Sequence, residues 1–328
     1  MAKQRPLRLG LVGSGQQAEG VLAPALARAA RARPDQVELA CICSPKADFA
    51  ERLCKQFGFL AACTDPAAMV RDHSIGACVC ALPAADTAIE VPQLLANKTP
   101  CLLTLPLGEG LSDVLAMAEA ARERNTPHAV AMPRRFNPYF TRGLKWAQQL
   151  GPIQSVNATL ATPGRIDRPL LWCDAVHAMD AMAHVLGRID KRIASPPGDA
   201  ADSADARSIT LRFAGQTTGR LDLRGQATAD EESYEIRGEG FLSVVTLQGH
   251  AGPSLVCWRG GRIEVKIHTP QGPAEPTDDG TEAAILDFVA HLQGDGKLAP
   301  TLEEVMPVLD IALQMGDSLE PAGAVSPA

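Results

Sequence analysis

The first part of the chain alternates short apolar runs with segments of helical periodicity. Apolar runs of strand length occupy 7–12, 38–43, 77–82, 100–104 and 128–132. Helical patterns occupy 47–57, 66–72, 86–97 and 111–124. Strands that alternate with helices in this way are typical of a parallel sheet covered by helices on its faces. We therefore predict that the chain begins with a doubly wound α/β domain.

Beyond residue 150 the pattern changes to consecutive strands. Strand-like stretches occupy 153–161, 207–213, 217–224, 233–238, 241–248 and 262–268, and helical segments occupy 170–186, 281–293 and 301–318. Strands that follow one another without intervening helices favour a mainly antiparallel open sheet in an α+β domain. We predict two domains, residues 1–128 and 129–328, for a chain of 328 residues.

Composition and charge narrow the class of ligand. Hydrophobic residues make up 46% of the chain and charged residues 21%, as in folded proteins. A net charge of −7 argues against nucleic acid or an anionic membrane as partner. Without a signal sequence or an apolar run of about 18 residues, we expect a cytoplasmic protein with small-molecule ligands. The nine cysteines show no C-x-x-C spacing, which indicates reduced core thiols and no metal site.

A glycine-rich turn follows the first predicted strand. The sequence Gly13-Ser14-Gly15-Gln16-Gln17-Ala18 fits the pattern G-x-G-x-x-G/A. In that pattern the first glycine allows a tight turn, and the second lets the backbone approach a pyrophosphate at the following helix N-terminus. A glycine turn without a ligand is the alternative. We predict a Rossmann domain whose dinucleotide contacts Gly13, Ser14, Gly15, Gln16 and Gln17.

The end of the second predicted strand bears on the choice of cofactor. NAD-specific proteins place an acidic residue there to bind the ribose hydroxyls. This chain has Ser44-Pro45-Lys46 instead. A hydroxyl and an ammonium group suit a 2′-phosphate, so Ser44 and Lys46 favour NADP. The alternative is that Lys46 is a solvated lysine at a helix start and that NAD binds as well.

Several motifs, taken in order, resemble the glucose–fructose oxidoreductase / inositol dehydrogenase (Gfo/Idh/MocA) family. They are the strand followed by GSGxxA, a strand ending in Leu82-Pro83, then Leu102-Leu103-Thr104-Leu105-Pro106, then Arg134-Arg135-Phe136-Asn137-Pro138, and finally His177-x-x-Asp180. The resemblance spans nearly the whole chain. It implies an NAD(P)-dependent oxidoreductase, and it adds Leu82, Pro83 and Pro106 to the expected cofactor contacts.

Two departures from that family concern its catalytic groups. The family usually has Glu-Lys-Pro where this chain has Thr104-Leu105-Pro106, and Leu105 cannot polarise or deprotonate a hydroxyl. The family's aspartate four residues before the histidine is replaced by Cys173, with Asp174 beside it. The chain thus resembles the lysine-less members, and more narrowly NADP-dependent semialdehyde dehydrogenases that oxidise a cyclic hemiacetal. A non-catalytic dinucleotide-binding regulator or scaffold is the alternative.

His177 is the candidate base for hydride-transfer chemistry, because imidazole titrates near the working pH. At helical spacing Cys173, His177, Asp180 and His184 share one face of a helix. Asp174 or Asp180 would orient the imidazole, and the sequence does not choose between them. The alternative is that both histidines are ordinary helix residues satisfied by packing.

Four arginines flank the segments expected to line the substrate site: Arg134, Arg135, Arg165 and Arg168. Guanidinium groups bind carboxylates bidentately, so we predict a small, carboxylated hydroxy or hemiacetal substrate. The predicted substrate contacts are Arg134, Arg135, Cys173, Arg165 and Asp180. Arginines paired with carboxylates of the protein itself are the alternative.

An open antiparallel sheet would leave an apolar face without helices. The simplest way to bury such a face is against a second copy of the chain. We therefore expect a homodimer or homotetramer.

Overall fold

The computed structural model describes residues 5–164, 166, 167, 170–193, 206–269, 279–296, 298 and 300–317. The chain forms two compact units. The first consists of Met1–Pro133 with Gly280–Met306, and the second of Arg134–Asp279 with Pro307–Ala328. This division differs from the expected continuous domain 129–328, because a segment near the C-terminus returns to the first unit.

The first unit contains a six-stranded parallel sheet in the order β3-β2-β1-β4-β5-β6. Its strands are β1 (Leu7–Gly13), β2 (Val37–Cys43), β3 (Ala61–Cys63), β4 (Ala77–Ala81), β5 (Cys101–Leu103) and β6 (His128–Val130). All neighbouring pairs are parallel. The prediction of a doubly wound Rossmann sheet is confirmed, although the short edge strand β3 was missed.

Helices connect these strands, and periodicity predicted all of them except the first, which was expected only from the glycine motif. They are α1 (Ala23–Ala32), α2 (Ala47–Phe57), α3 (Pro66–Asp72), α4 (Ala84–Ala96) and α5 (Leu111–Arg124). A single π turn, Ala18–Leu22, precedes α1. Pro24 then falls in the first turn of α1, directly after this π turn.

The helix α8 (Thr281–Leu292) packs in the core of the first unit. Ile285, Phe288 and Val289 are buried there in the same cluster as the apolar side chains of β1 and α1. Arg28 on α1 donates a hydrogen bond of 2.9 Å to Glu282. The apolar face of α8 is therefore buried in the first unit. For this reason the first unit includes a segment from near the C-terminus.

The second unit contains an eight-stranded sheet in the order β14-β13-β12-β11-β7-β10-β9-β8. Its strands are β7 (Ile153–Ala161), β8 (Ile189–Ile193), β9 (Ala206–Phe213), β10 (Thr218–Arg224), β11 (Glu231–Gly238), β12 (Phe241–Gln248), β13 (Ser254–Arg259) and β14 (Arg262–His268). Only β7 and β10 pair in parallel among these described strands. The predicted mainly antiparallel sheet is confirmed.

One face of this sheet is covered by α6 (Pro138–Gln148) and α7 (Val176–Leu186). A Cβ at Gly143 on α6 would stand 2.7 Å from Ser243 Oγ, so the helix lies close to β12. A Cβ at Gly219 on β10 would stand 2.6 Å from Met182 Cε of α7. Both close approaches depend on a missing side chain.

One helical prediction needs correction, and the last one is confirmed. The expected helix over 170–186 begins with a π segment, Leu170–Ala175, before α7, so Cys173 lies in a wider turn than α-helical spacing assumes. The last helix, α9 (Leu302–Asp317), spans the division between the units, which falls at Met306 and Pro307.

Replacement of Phe288 by alanine tests the assignment of α8 to the first core. Phe288 is 1% exposed, and we expect Phe288→Ala to reduce the free energy of unfolding by about 3–5 kcal/mol. The measurement is thermal or urea unfolding followed by circular dichroism. Ile89→Ala on α4, where the side chain is 59% exposed, is the control and should change stability by less than about 0.5 kcal/mol. Equal effects of the two substitutions would contradict the assignment.

Candidate functional site

The turn after β1 has two glycines with different surroundings. A Cβ at Gly13 would stand 2.7 Å from the Ala81 carbonyl oxygen and 2.9 Å from Ala18 Cβ. Gly13 therefore allows β1, β4 and the following helical turn to approach one another. A Cβ at Gly15 would have no described atom within 4 Å. These are the two roles that the dinucleotide motif requires, tight packing at the first glycine and open backbone at the second.

The other predicted cofactor residues lie at the same edge of the parallel sheet. The carboxyl ends of β2, β1, β4 and β5 are neighbours there, and they lead into Ser44–Lys46, Gly13–Gln17, Leu82–Pro83 and Thr104–Pro106. The strand order reverses next to β1, which pairs with both β2 and β4. Ligands of doubly wound sheets bind at such a switch point. The residues present therefore fit a dinucleotide.

The loops after β1 and β5 are joined by a hydroxyl group. Thr104 Oγ1 lies 3.1 Å from Gln17 Oε1 and 3.0 Å from the carbonyl oxygen of Cys80. The next residue, Leu105, is buried, and its bond to Pro106 is cis. This chain therefore has an apolar side chain inside the first unit where the resembling family has a lysine, and Leu105 supplies no base.

Ser44 and Lys46 have separate roles in the turn after β2. Ser44 is 1% exposed, and its Oγ accepts the Lys46 N–H at 3.3 Å. The Ser44 N–H in turn donates to the Cys63 carbonyl oxygen at 3.1 Å. The Ser44 hydroxyl therefore helps to hold the turn, and Lys46 is the exposed cation at the start of α2.

In the second unit, Arg134 is the centre of a buried polar network. Its Nε and Nη2 donate to the two carboxylate oxygens of Glu232 at 3.0 and 2.9 Å. The buried hydroxyl of Tyr234 donates to Glu232 Oε1 at 2.6 Å. Arg134 Nη2 also lies 3.9 Å from Asp174 Oδ1. Each charge in this network faces an opposite charge or a hydrogen-bond donor, as buried ionic groups require.

Arg135 forms a second bidentate ion pair. Its Nε and Nη2 each donate to an oxygen of Asp180 at 2.7 Å, and Asp180 is 2% exposed. The charges of Arg134, Arg135 and Asp180, which we expected at the substrate site, are thus balanced by partners within the protein. The other two arginines of that prediction, Arg165 and Arg168, lie outside the described residues.

His177 carries a buried ring nitrogen, Nδ1, that has no hydrogen-bond partner among the described residues. Burial, and after it the nearby Arg134 guanidinium, lowers the pKa of His177 well below its usual value. Asp174 and Asp180 were the candidates to orient the imidazole. In the structure Asp180 binds Arg135, and Asp174 faces Arg134. The imidazole is therefore neutral near pH 7 and able to accept a proton.

Two residues beside the histidine are less ionised than in water. Burial, reinforced by Asp174, raises the pKa of the Cys173 thiol to about 11, so this thiol is not a ready nucleophile. Burial also raises the pKa of Asp174, against the opposite effect of Arg134. Asp174 and Arg134 line a cavity of about 240 Å³ together with Thr162, Asp230, Glu231 and Glu232.

The sequence analysis did not predict Glu232 and Tyr234 as part of this site. Glu232 stands 98 positions from Arg134 in the chain, so no local spacing connects them. The sequence did contain one indication of Glu232. Alternate residues of β11 are buried, and Glu232 stands at one of these buried positions, where the other residues are apolar or aromatic. A carboxylate at such a position implies a buried cation.

Two absences hold for the described part of the chain. No group of three or more His, Cys, Asp or Glu side chains there is arranged to hold a metal ion. No helix within the same residues combines the length and apolarity needed to cross a membrane.

Comparison with known proteins identifies the class of the first unit. Residues 7–132 match the family described as an oxidoreductase family with an NAD-binding Rossmann fold, Gfo/Idh/MocA. No curated protein sequence matches this chain significantly. Residues 7–132 thus form a Rossmann domain similar to those of the Gfo/Idh/MocA oxidoreductases, in agreement with the resemblance carried by the order of motifs.

Solved structures extend the likeness in fold to both units. A Gfo/Idh/MocA family oxidoreductase from Vibrio cholerae superposes with a TM-score of 0.75 at 18% identity over 95% of this chain and 99% of that chain. Levoglucosan dehydrogenase in complex with NADH gives 0.74 at 20% identity over 96% and 98%. An Agrobacterium radiobacter oxidoreductase in complex with NAD⁺, L-tartaric acid and magnesium gives 0.73 at 16% identity over 95% and 96%.

The two glycines of the turn after β1 give a paired test. We expect Gly13→Ala to lower the melting temperature, because its Cβ would meet backbone and Cβ atoms closer than van der Waals contact. We expect Gly15→Ala to keep the melting temperature and to weaken dinucleotide binding, because its Cβ would enter the open space above the loop. Differential scanning fluorimetry and titration with NADPH measure the two effects. A loss of stability in Gly15→Ala with unchanged binding would contradict this division of roles.

Proposed function

We propose that the chain transfers a hydride between NADP and the hydroxyl-bearing carbon of a small hydroxy or cyclic hemiacetal substrate, with His177 as the proton acceptor. The observation that carries this proposal is the neutral His177 imidazole with its unpartnered buried Nδ1. His177 lies one helical turn after Asp174, which lines the cavity of the second unit. A base held neutral by its surroundings is suited to remove an O–H proton near pH 7.

The chemistry divides between cofactor and protein. When bound, NADP supplies the acceptor for the hydride that leaves the substrate carbon. The same carbon becomes a carbonyl as His177 takes the proton of its hydroxyl group, and in the reverse direction His177 returns that proton. Burial, and after it Arg134, disfavours a positive imidazolium before the reaction, so the base begins unprotonated. Glu232 and Tyr234 hold Arg134 in place.

The charge of the substrate depends on the arginines of the second unit. A carboxylated substrate accords with the bound L-tartaric acid of the Agrobacterium radiobacter relative. Arg134 and Arg135, however, are neutralised by Glu232 and Asp180. The described residues therefore support a hydroxylated substrate more directly than a carboxylated one, and both kinds belong in a substrate panel.

Replacement of Lys46 tests the preference for NADP. The relatives described above bind NADH and NAD⁺, so the preference rests on the exposed Lys46 and on the lack of an acidic residue after β2. We expect Lys46→Ala to weaken NADPH binding about tenfold, or about 1.4 kcal/mol, and to leave NADH binding unchanged. Nicotinamide fluorescence measures both affinities. Lys55→Ala, an exposed lysine at the other end of α2, is the matched control; equal losses for the two nucleotides would contradict NADP specificity.

Replacement of His177 tests its role as base. We expect His177→Ala to lower kcat by about 10²–10⁴-fold while the NADPH affinity stays unchanged, as for loss of a general base. His184→Ala, on the exposed part of the same helix, should keep activity. Because burial lowers the pKa of His177, the fall of kcat/KM at acidic pH should lie below pH 6.5. Tight NADPH binding without turnover of any panel substrate would instead support a dinucleotide-binding regulator.

The second sheet supports a homo-oligomer. Ser243, Val245 and Leu255 face α6, so the alternating positions Val244 and Val256 lie on the opposite face, where they are only partly buried. We expect Val256→Glu to convert an oligomer into a monomer, because a carboxylate would be buried in the apolar contact. Light scattering after gel filtration measures the mass. Leu60→Glu, at a 64% exposed position of the first unit, is the control, and a wild-type monomer would refute the proposal.

A further inference from the structure

One face of the parallel sheet carries a row of thiols. Cys43 is in register with Cys63 on β3 and, through Val12, with Cys80 on β4. Alternate residues of a strand share a face, and paired residues of neighbouring strands point the same way. Six cysteines therefore lie on one face, namely Cys41, Cys43, Cys63, Cys78, Cys80 and Cys101. Of these six, Cys63 alone is partly exposed, and the others are buried.

Cys63 joins this row to the protein surface. It ends β3, an edge strand of three residues. It also lines a solvent-accessible cavity of about 240 Å³ between α2 and α3, with Glu51 and Asp65 among the other lining residues. Small reagents therefore have access to this sulfur, while the thiols behind it are shielded.

A second thiol lies within reach of Cys63. The Sγ atoms of Cys63 and Cys41 are 3.6 Å apart. A disulfide bond measures about 2.05 Å, so the two sulfurs must approach by about 1.5 Å. Cys41 pairs with Ala61, two positions from Cys63, so closing the bond moves the end of the short edge strand β3 toward the buried strand β2.

The surroundings of Cys63 also favour its reactive form. Hydrogen bonds from the thiol of Cys41, and then from that of Cys43, lower the pKa of the Cys63 thiol, and the nearby His73 acts in the same direction. The pKa of the Cys41 thiol is raised, first by its hydrogen bond to Cys63 and then by burial. The exposed sulfur of the cluster is thus the one that ionises first, and the thiolate is the nucleophilic form of cysteine.

We propose that Cys63 is an oxidation site for peroxides and that Cys41 is its resolving thiol. The Cys63 thiolate attacks one peroxide oxygen, the O–O bond breaks, and the second oxygen leaves as water after taking a proton. Cys63 is then a sulfenic acid. The Cys41 sulfur attacks the Cys63 sulfur, the S–O bond breaks, and the hydroxide leaves as water with the Cys41 proton. Two thiols are oxidised to one disulfide, and one hydrogen peroxide is reduced to two waters.

The oxidation site is adjacent to the turn that we assign to the cofactor's ribose. The Cys63 carbonyl oxygen accepts the Ser44 N–H at 3.1 Å, and Ser44 Oγ accepts the Lys46 N–H. Movement of Cys63 toward Cys41 therefore displaces the backbone that positions Lys46. Oxidation should weaken NADPH binding; this consequence rests on the proposed function, whereas formation of the disulfide does not.

Peptide mapping tests the site on the full-length protein. Reduced wild-type protein is treated with hydrogen peroxide, free thiols are blocked, and the digest is analysed by mass spectrometry without reduction. We expect a peptide containing Cys63 linked to the β2 peptide, with two hydrogens fewer than the reduced pair, and we expect dithiothreitol to reverse it. Preferential oxidation of the partly exposed Cys54 or Cys173, with Cys63 left intact, would overturn the proposal.

Serine variants test the pairing. Cys41→Ser should leave a Cys63 sulfenic acid that reacts with dimedone, and Cys43→Ser should still form the disulfide. A disulfide that persists in Cys41→Ser, or that is lost in Cys43→Ser alone, would assign Cys43 as the partner and overturn the pairing. Iodoacetamide labelling of the wild type, which needs no variant to fold, should modify Cys63 first. Slower labelling of Cys63 than of Cys54 would also contradict the proposal.

NADPH titration before and after oxidation separates the two proposals. We expect oxidation to lower the NADPH affinity of the wild type about tenfold, because one charge-assisted contact is disturbed. The NADPH affinity of Cys63→Ser should stay unchanged. If the disulfide forms and the reduced protein binds no dinucleotide, the proposed function fails and the oxidation site stands. If the disulfide forms and NADPH affinity is unaltered, the coupling to Ser44 is refuted.

Discussion

No side chain fits at Gly13, and the ligand edge of the parallel sheet depends on that constraint. A Cβ there would meet the Ala81 carbonyl of β4 and the Ala18 side chain of the next turn. Because β1 lies between β2 and β4, a wider contact at this point would separate the loops after three adjacent strands. The relative positions of Gly15, Ser44 and Leu82, which follow these three strands, therefore depend on this close contact. The dinucleotide site thus depends on packing within the sheet as much as on groups that face the ligand.

In the second unit, the corresponding constraint is electrostatic. Burying a guanidinium group is costly unless a carboxylate balances it, and Glu232 does this for Arg134 with two hydrogen bonds. Burial, and after it the positive charge of Arg134, lowers the pKa of His177. These surroundings therefore keep the imidazole unprotonated near pH 7. The low pKa of His177 is in this way a property of its burial and of the neighbouring network rather than of the helix that carries it.

Local pattern placed most strands and helices but missed β3, β8, β13 and α6. The periodicity of β1, α2 and α5 was sufficient to place them. The strand β8 contains the charged run Asp190-Lys191-Arg192, whereas β13 alternates in burial and was missed all the same. The helix α6 was missed despite a readable signal, since Asn137 Oδ1 caps it and Pro138 follows in the first turn. The helix α8 was found, but its apolar face did not reveal which unit it would join.

The sequence by itself determined the features that act through near neighbours: the glycine turn after β1, the lack of a lysine at Leu105, and the lack of an acidic residue at Ser44. Only the tertiary structure decided the pairing of Arg134 with Glu232, the unpartnered Nδ1 of His177 and the approach of Cys63 to Cys41. The physical reason is distance along the chain. Ion pairs, burial and thiol contacts depend on which strands and helices meet, and the local alternation of residues specifies an element's type without specifying its neighbours.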